Sequence, residues 1–394
     1  MSKSIESNVT LLTEKQHWGL TDEQHWGDAQ GNGQLEVIKR YGTKTGLSDL
    51  AILLGGYVGS RTTRDGQRAG YVWSASSYGY GNGYVRAVRD NGDRLYSHPD
   101  ERYCGARPAL PSSVASSLGL SEANPSRKIS GVDNTEIDVV EYGEYPQTVA
   151  FANESPEKAD RLTQELEKAY QDDQKKPLGQ QNLTGKKYTF DAEKYDACDK
   201  PFNAKEHAEY QHNGKRYIRV EAKPYGGDHS VLSNGKKPQT GEVYWVEVQP
   251  IEWLRDPSGI YVARQALFAG VQLDHGRYYD GIFKKTDMHN YLNGPFWKEM
   301  QPSQVQAAEV SEQTPSNDEG RENALLNGAH IEPSRIVKDV TPEILARTLG
   351  VADILTPGGK SLQRRMDITA SGNRRDRFDE LRKIGESHDK GGRG

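Results

Sequence analysis

The stretch from residue 70 to residue 107 constrains the fold most, because turn-forming residues interrupt it every few positions. Gly79-Tyr80-Gly81-Asn82-Gly83 and Asp90-Asn91-Gly92-Asp93 each break the chain. Glycine and asparagine tolerate the backbone angles that tight turns need. No long helix fits between such breaks, and short strands do. Residues 71–76 and 84–89 read as two of them, with a return strand at 94–97. Asn91-Gly92 between the last two predicts a type I′ hairpin, which needs positive φ at both central positions.

With 394 residues the chain is too long for one ordinary core. Only 34% of it is hydrophobic, and the mean hydropathy is -0.85, so part of the length is expected to stay unpacked. Texture divides the chain into a Tyr/Gly-rich block at 1–118, a linker at 119–133 and a second block at 134–300. A disordered linker at 301–339, rich in Gln, Ser, Glu, Asn and Pro, and a charged helical tail at 340–394 follow. In the first block, Asp49-Leu50-Ala51-Ile52-Leu53-Leu54 is a short buried helix or strand, and its periodicity does not decide which. The second block opens extended at 139–147. A helix follows, with Ser155 as cap, Pro156 at its first position, and Leu162, Leu166 and Tyr170 on one face. Strands are expected at 215–222, 243–248, 251–254 and 260–263, with turns at Asn213-Gly214 and Asn234-Gly235. A short helix from residue 287 should stop at Gly294-Pro295. The class is α+β.

Charge and motifs exclude more than they assign. A net charge of -5 argues against chain-wide affinity for nucleic acid. No apolar run approaches the roughly 18 residues of a membrane span, and the first residues lack the apolar core of a secretory signal. Cys104 and Cys198 make no disulfide framework. The expectation is a cytoplasmic protein, or one incorporated in a phage particle. No Gly-x-Ser-x-Gly pentad is present, and Ile354 stands where a phosphate loop ending in Gly359-Lys360-Ser361 needs its first glycine. No enzyme class emerges, and no cofactor or metal is expected. Gln-His-Trp-Gly occurs at 16–19 and again at 24–27. This repeat suits two tryptophans on a small hydrophobic face better than a His17/His25 metal pair, which lacks further ligands at zinc-site spacing. The tail has more Lys and Arg than acids from residue 360 onward, as a solvated appendage or a docking peptide for a protein partner would.

Tyr78 to Tyr103 has the composition of a binding surface. Tyrosine gives wide amphipathic contact at low entropy cost, Gly, Asn and Ser adapt, and arginine forks to acceptors. A thin core covered by tyrosines is the structural alternative. The segment Val72-Trp73-Ser74-Ala75-Ser76, followed by Gly105-Ala106-Arg107-Pro108-Ala109-Leu110, resembles the C-terminal half of a C-type-lectin-like domain. It is similar to the variable proteins of diversity-generating retroelements and to the formylglycine-generating-enzyme-like fold. The resemblance implies an irregular mixed fold whose diversified, ligand-facing positions fall between these two strands. Here they are Tyr78, Tyr80, Asn82, Tyr84, Arg86, Asp90, Asn91, Arg94, Tyr96, His98, Asp100, Arg102 and Tyr103. These types suit mutagenesis of adenines in Asn-like codons. Arg86 and Arg94 are then expected to steer a protein or other macromolecular ligand. The second block resembles a bacterial domain family of unknown function through Tyr142-Gly143-Glu144-Tyr145-Pro146-Gln147, Pro250-Ile251-Glu252-Trp253-Leu254 and Asn290-Tyr291-Leu292-Asn293. In that family these motifs come before the Trp-Ser half, so the order here is reversed. Two tandem modules or one permuted domain would both explain it. The catalytic cysteines of the formylglycine-generating enzyme are not matched. A docking component of a phage or mobile element, and a metal- or oxygen-dependent enzyme, are the other two functional readings.

Overall fold

The computed structural model describes residues 9–19, 33–78, 83–191, 203–226, 229–276 and 278–302. Tyr80, Asn82, His25, Trp26, Cys198, the linker from 303 to 339 and the tail at 340–394 lie outside the described residues, and so do the expectations attached to them. Everything below belongs to one compact unit, residues 1–313.

Three short helices open the chain: α1 (Glu14–Trp18), α2 (Glu36–Tyr41) and α3 (Asp49–Leu53). The apolar run at 49–54 is thus helical. Ser48 caps it by accepting a hydrogen bond from the Ala51 amide at 3.0 Å, and all five helical residues are buried. Strands β1 (Thr45–Gly46), β2 (Val58–Thr62) and β3 (Arg68–Gly70) form a small sheet in the order β1-β3-β2. Then β4 (Val72–Tyr78), β5 (Tyr84–Val88) and β6 (Arg94–Ser97) form an antiparallel sheet in chain order. These are the three strands expected from the turn pattern, with ends shifted by a residue or two. Their hairpin differs from the expected type I′. Within the turn only Gly92 has positive φ, at 88°, and Arg89 and Asp93 still pair across it at 2.8 Å. Glycine therefore takes the single left-handed position of a longer, bulged turn. The two-residue type I′ geometry occurs instead at Asn213-Gly214, with φ of 49° and 76°.

The remaining strands are β7 (Ala109–Leu110), β8 (Arg127–Ser130), β9 (Glu136–Val149), β10 (Leu183–Asp191), β11 (Ala204–His212), β12 (Lys215–Glu221), β13 (Val243–Arg255) and β14 (Tyr261–Ala263). Helix α4 (Ser112–Ser117) follows β7, and α5 (Pro156–Asp173) follows β9. Six strands run in the order β10-β11-β12-β13-β14-β7, while β9 pairs with β13 and β8 with β9, all antiparallel. The runs expected at 243–248 and 251–254 are one strand. Its pairing with β9 shifts register between Pro250 and Glu252, a bulge that absorbs the missing amide of proline. Helix α5 begins as its sequence signals require, with the Ser155 side chain accepting from the Lys158 amide.

The chain does not stop at Gly294-Pro295. Helix α6 (Asp287–Tyr291) widens into a π-turn over Leu292–Phe296 that contains Pro295, and α7 (Trp297–Met300) continues from it. A widened turn tolerates a residue with no amide to donate. Residues 119–133, expected to be a linker, carry a 3-10 turn at Leu120–Glu122 and strand β8. The two sequence blocks also share a core: Trp73, Val85 and Cys104 belong to the same buried cluster as Tyr145, Trp253 and Phe268. β7, from the first block, edges the large sheet of the second. The architecture is α+β, dominated by antiparallel sheet. Among the described residues no helix is long and apolar enough to cross a membrane.

Candidate functional site

The β4-β5-β6 sheet has two unlike faces. Side chains alternate along a strand, so Val85 and Ala87 of β5 point one way and are fully buried, while Tyr84 and Arg86 point the other. Register sets Tyr78 opposite Tyr84, and Tyr96 opposite Arg86. The result is a group of four rings. Tyr78 stacks on Tyr96 with centroids 4.7 Å apart and planes at 16°. Tyr84 meets Tyr96 edge-on at 5.4 Å and Tyr78 at 6.5 Å. His98 lies 4.5 Å from Tyr84. Such offset and edge-on contacts are the favoured geometries of aromatic pairs. Tyr96 is 53% exposed, His98 is exposed, and Tyr78 and Tyr84 are half-buried.

A locked polar layer adjoins the rings. The Arg86 guanidinium lies 4.3 Å from the Tyr78 ring centroid. Its Nε is 3.2 Å from a Glu14 carboxylate oxygen, and Arg94 Nη1 is 3.0 Å from the same oxygen. Glu14 is fully buried and reaches this place because α1 is tightly anchored. Thr13 and Gln16 form a capping box, the Glu14 amide donates to Ser76 Oγ at 2.8 Å, and Trp18 Nε1 donates to the Gly92 carbonyl at 3.0 Å.

Of the thirteen positions expected to face a ligand, the eleven that the structure describes separate, Tyr80 and Asn82 lying outside the described residues. Tyr78, Tyr84, Tyr96 and His98 come together at the surface. Three are buried: Arg86 is 6% exposed, Asp100 3% and Arg102 0%. Arg86 is drawn in by Glu14, and Arg102 sits against the Gly270 backbone, which it meets through its carbonyl and Nη1. Arg94 is half-buried and tied to Glu14, so neither Arg86 nor Arg94 is a free steering charge. Asp90 packs on Gly59, where a Cβ would come within 2.0 Å of its Oδ2. Asn91 is exposed in the hairpin turn, its side chain holding Asp93.

Tyr103 leaves the group. Its hydroxyl pairs with Ser97 Oγ at 2.7 Å, and burial pushes its pKa up. It joins a second tyrosine cluster that sequence reasoning missed, with Tyr71 at 6.2 Å, Tyr225 at 5.5 Å, and Tyr57 packed 4.2 Å from Tyr71. Nothing local in the sequence links Tyr225 to Tyr57 or Tyr103, because a long stretch of chain separates them.

Other reactive groups are muted or modest. The Cys104 thiol is fully buried, which pushes its pKa well up. His17 is buried, and desolvation with the nearby Arg107 charge lowers it to about 3. Among the described residues, Asp274, His275 and Asp287 bring ligand atoms within 4.8 Å of one another and could hold a metal. His275 Nδ1 already lies 2.9 Å from Asp287 Oδ2. Burial, then the Asp287 charge, raises the Asp274 carboxyl. Comparison with known proteins returns no matching family, no matching curated protein and no matching solved structure.

Proposed function

We propose that the chain is a non-enzymatic recognition protein. It would display a diversified aromatic patch on a C-type-lectin-like scaffold, as the variable proteins of diversity-generating retroelements do, to a protein or other macromolecular ligand. One observation carries this reading: Tyr78, Tyr84, Tyr96 and His98 gather on one face of the β4-β5-β6 sheet, while the opposite face is fixed in the core by Val85 and Ala87. A surface that changes on a framework that does not is what recognition by diversification requires. Clustered tyrosines are also enriched among the residues that dominate binding energy.

Deep sequencing of the segment encoding residues 73–107 across a population of the source should find substitutions concentrated at codons 78, 84, 96 and 98. Codons 86, 100 and 102 should stay constant, because their side chains are buried. Uniform variation across all seven codons, or none in any, removes the reading.

A further inference from the structure

Beside β4, a cleft of about 540 Å3 opens between the N-terminal segment and the loop at 281–284. That volume lies within the range of small-molecule sites, which combine apolar walls with a few placed polar groups. Val9, Ala75, Pro111, Ile282 and Phe283 supply the apolar part, and Ile282 is exposed at 45%. Thr10, Thr13, Ser77, Ser113, Lys284 and His289 supply the polar part.

The polar part is one-sided. Among the described residues no carboxylate lines the cleft. The loop's own acid, Asp280, is engaged by Lys285 at 2.9 Å, which leaves Lys284 without an ion-pair partner among the described residues. The Ser77 and Ser113 hydroxyls likewise make no hydrogen bond among the described residues. Thr13, by contrast, is used in capping α1. Phe283 stands edge-on to His289 at 5.6 Å, so an aromatic wall adjoins the cationic end. An uncommitted ammonium, two uncommitted hydroxyls and an apolar wall complement a molecule with one anionic end and an apolar body.

We propose that this cleft binds a small monocarboxylate with an apolar body, the carboxylate towards Lys284 and the body against Phe283. The site is separate from the aromatic patch and does not depend on it. Calorimetric titration of the full chain with octanoate, octylamine and octanol tests it, since the three probes share a body and differ in the end group. Octanoate should bind at least tenfold more tightly than the other two. Lys284→Glu, at an exposed position, should weaken octanoate at least tenfold. Ser113→Trp, which fills the cleft, should abolish binding with the melting temperature unchanged. Tyr96→Ser, on the aromatic patch, should change nothing. The proposal fails if octylamine or octanol binds as well as octanoate, if Lys284→Glu or Ser113→Trp leaves octanoate affinity intact, or if none of the probes binds.

Discussion

At the scale of single residues, the face formed by β4, β5 and β6 cancels its buried charges and leaves a group of rings at the surface. Arg86 and Arg94 share the buried carboxylate of Glu14, and removing one partner of such a buried pair is far costlier than removing a surface charge. Neither arginine's role was legible beforehand, because Glu14 lies far from both in sequence and only the docking of α1 on β4 brings them together. His17 offers a sharp test of how dry this region is. Above pH 6.5 its ring is neutral in both the folded and the unfolded chain and contributes no pH dependence. Between 6.5 and about 3 the unfolded chain takes up a proton that the folded one refuses. Stability therefore falls as pH falls through that window, by up to about 1.4 kcal/mol per pH unit. Urea unfolding of the wild type and His17→Gln at pH 7 and pH 5 isolates the effect, since other titrating groups are common to both proteins. The wild type should lose about 2 kcal/mol more than the variant between the two pH values. Equal losses would mean that His17 is hydrated.

At the scale of elements, what the sequence announced was whatever local chemistry decides. The strands at 72–78, 84–88 and 94–97 follow from turn formers on either side, and α5 follows from Ser155 and Pro156. The misses share a cause as well. The type of the hairpin turn at Asn91-Gly92 depends on how the strands twist and pack, which the dipeptide alone does not carry. Two misses lie at prolines: the runs expected at 243–248 and 251–254 join through Pro250, and the helix expected to stop at Gly294-Pro295 continues, because a bulge or a widened turn absorbs each proline. Gly92 gives the hairpin a direct test. Its φ is +88° and a Cβ there would meet Thr43 Oγ1 at 2.3 Å, so Gly92→Ala combines backbone strain with a clash. A loss of about 1–3 kcal/mol is expected. The Trp18 fluorescence environment should change with it, because Trp18 donates to the Gly92 carbonyl. A neutral substitution would show that the turn is not held as described.

At the scale of the whole molecule, the two sequence blocks are joined through one sheet and one core. β7 closes the edge of the large sheet next to β14, and one buried cluster runs from Trp73 to Trp253 and Phe268. The two sequence blocks are thus packed on each other, which texture along the chain could not reveal because it carries no information about contacts between distant segments. The candidate site was legible to the extent that Tyr78, Tyr84, Tyr96 and His98 were marked out by composition and resemblance. The burial of Arg102 was hidden, since it depends on the backbone at Gly270 far along the chain.

The exposed rings are supported by the framework rather than being its support. Thermal unfolding of the variant carrying Tyr78→Ser, Tyr84→Ser, Tyr96→Ser and His98→Ser together tests this most directly. Retained cooperative unfolding, with a midpoint within about 10 °C of the wild type, is expected, since half-exposed aromatic pairs contribute about 0.5–1.5 kcal/mol each. Loss of the cooperative transition would show that these rings are part of the core, and would contradict the claim.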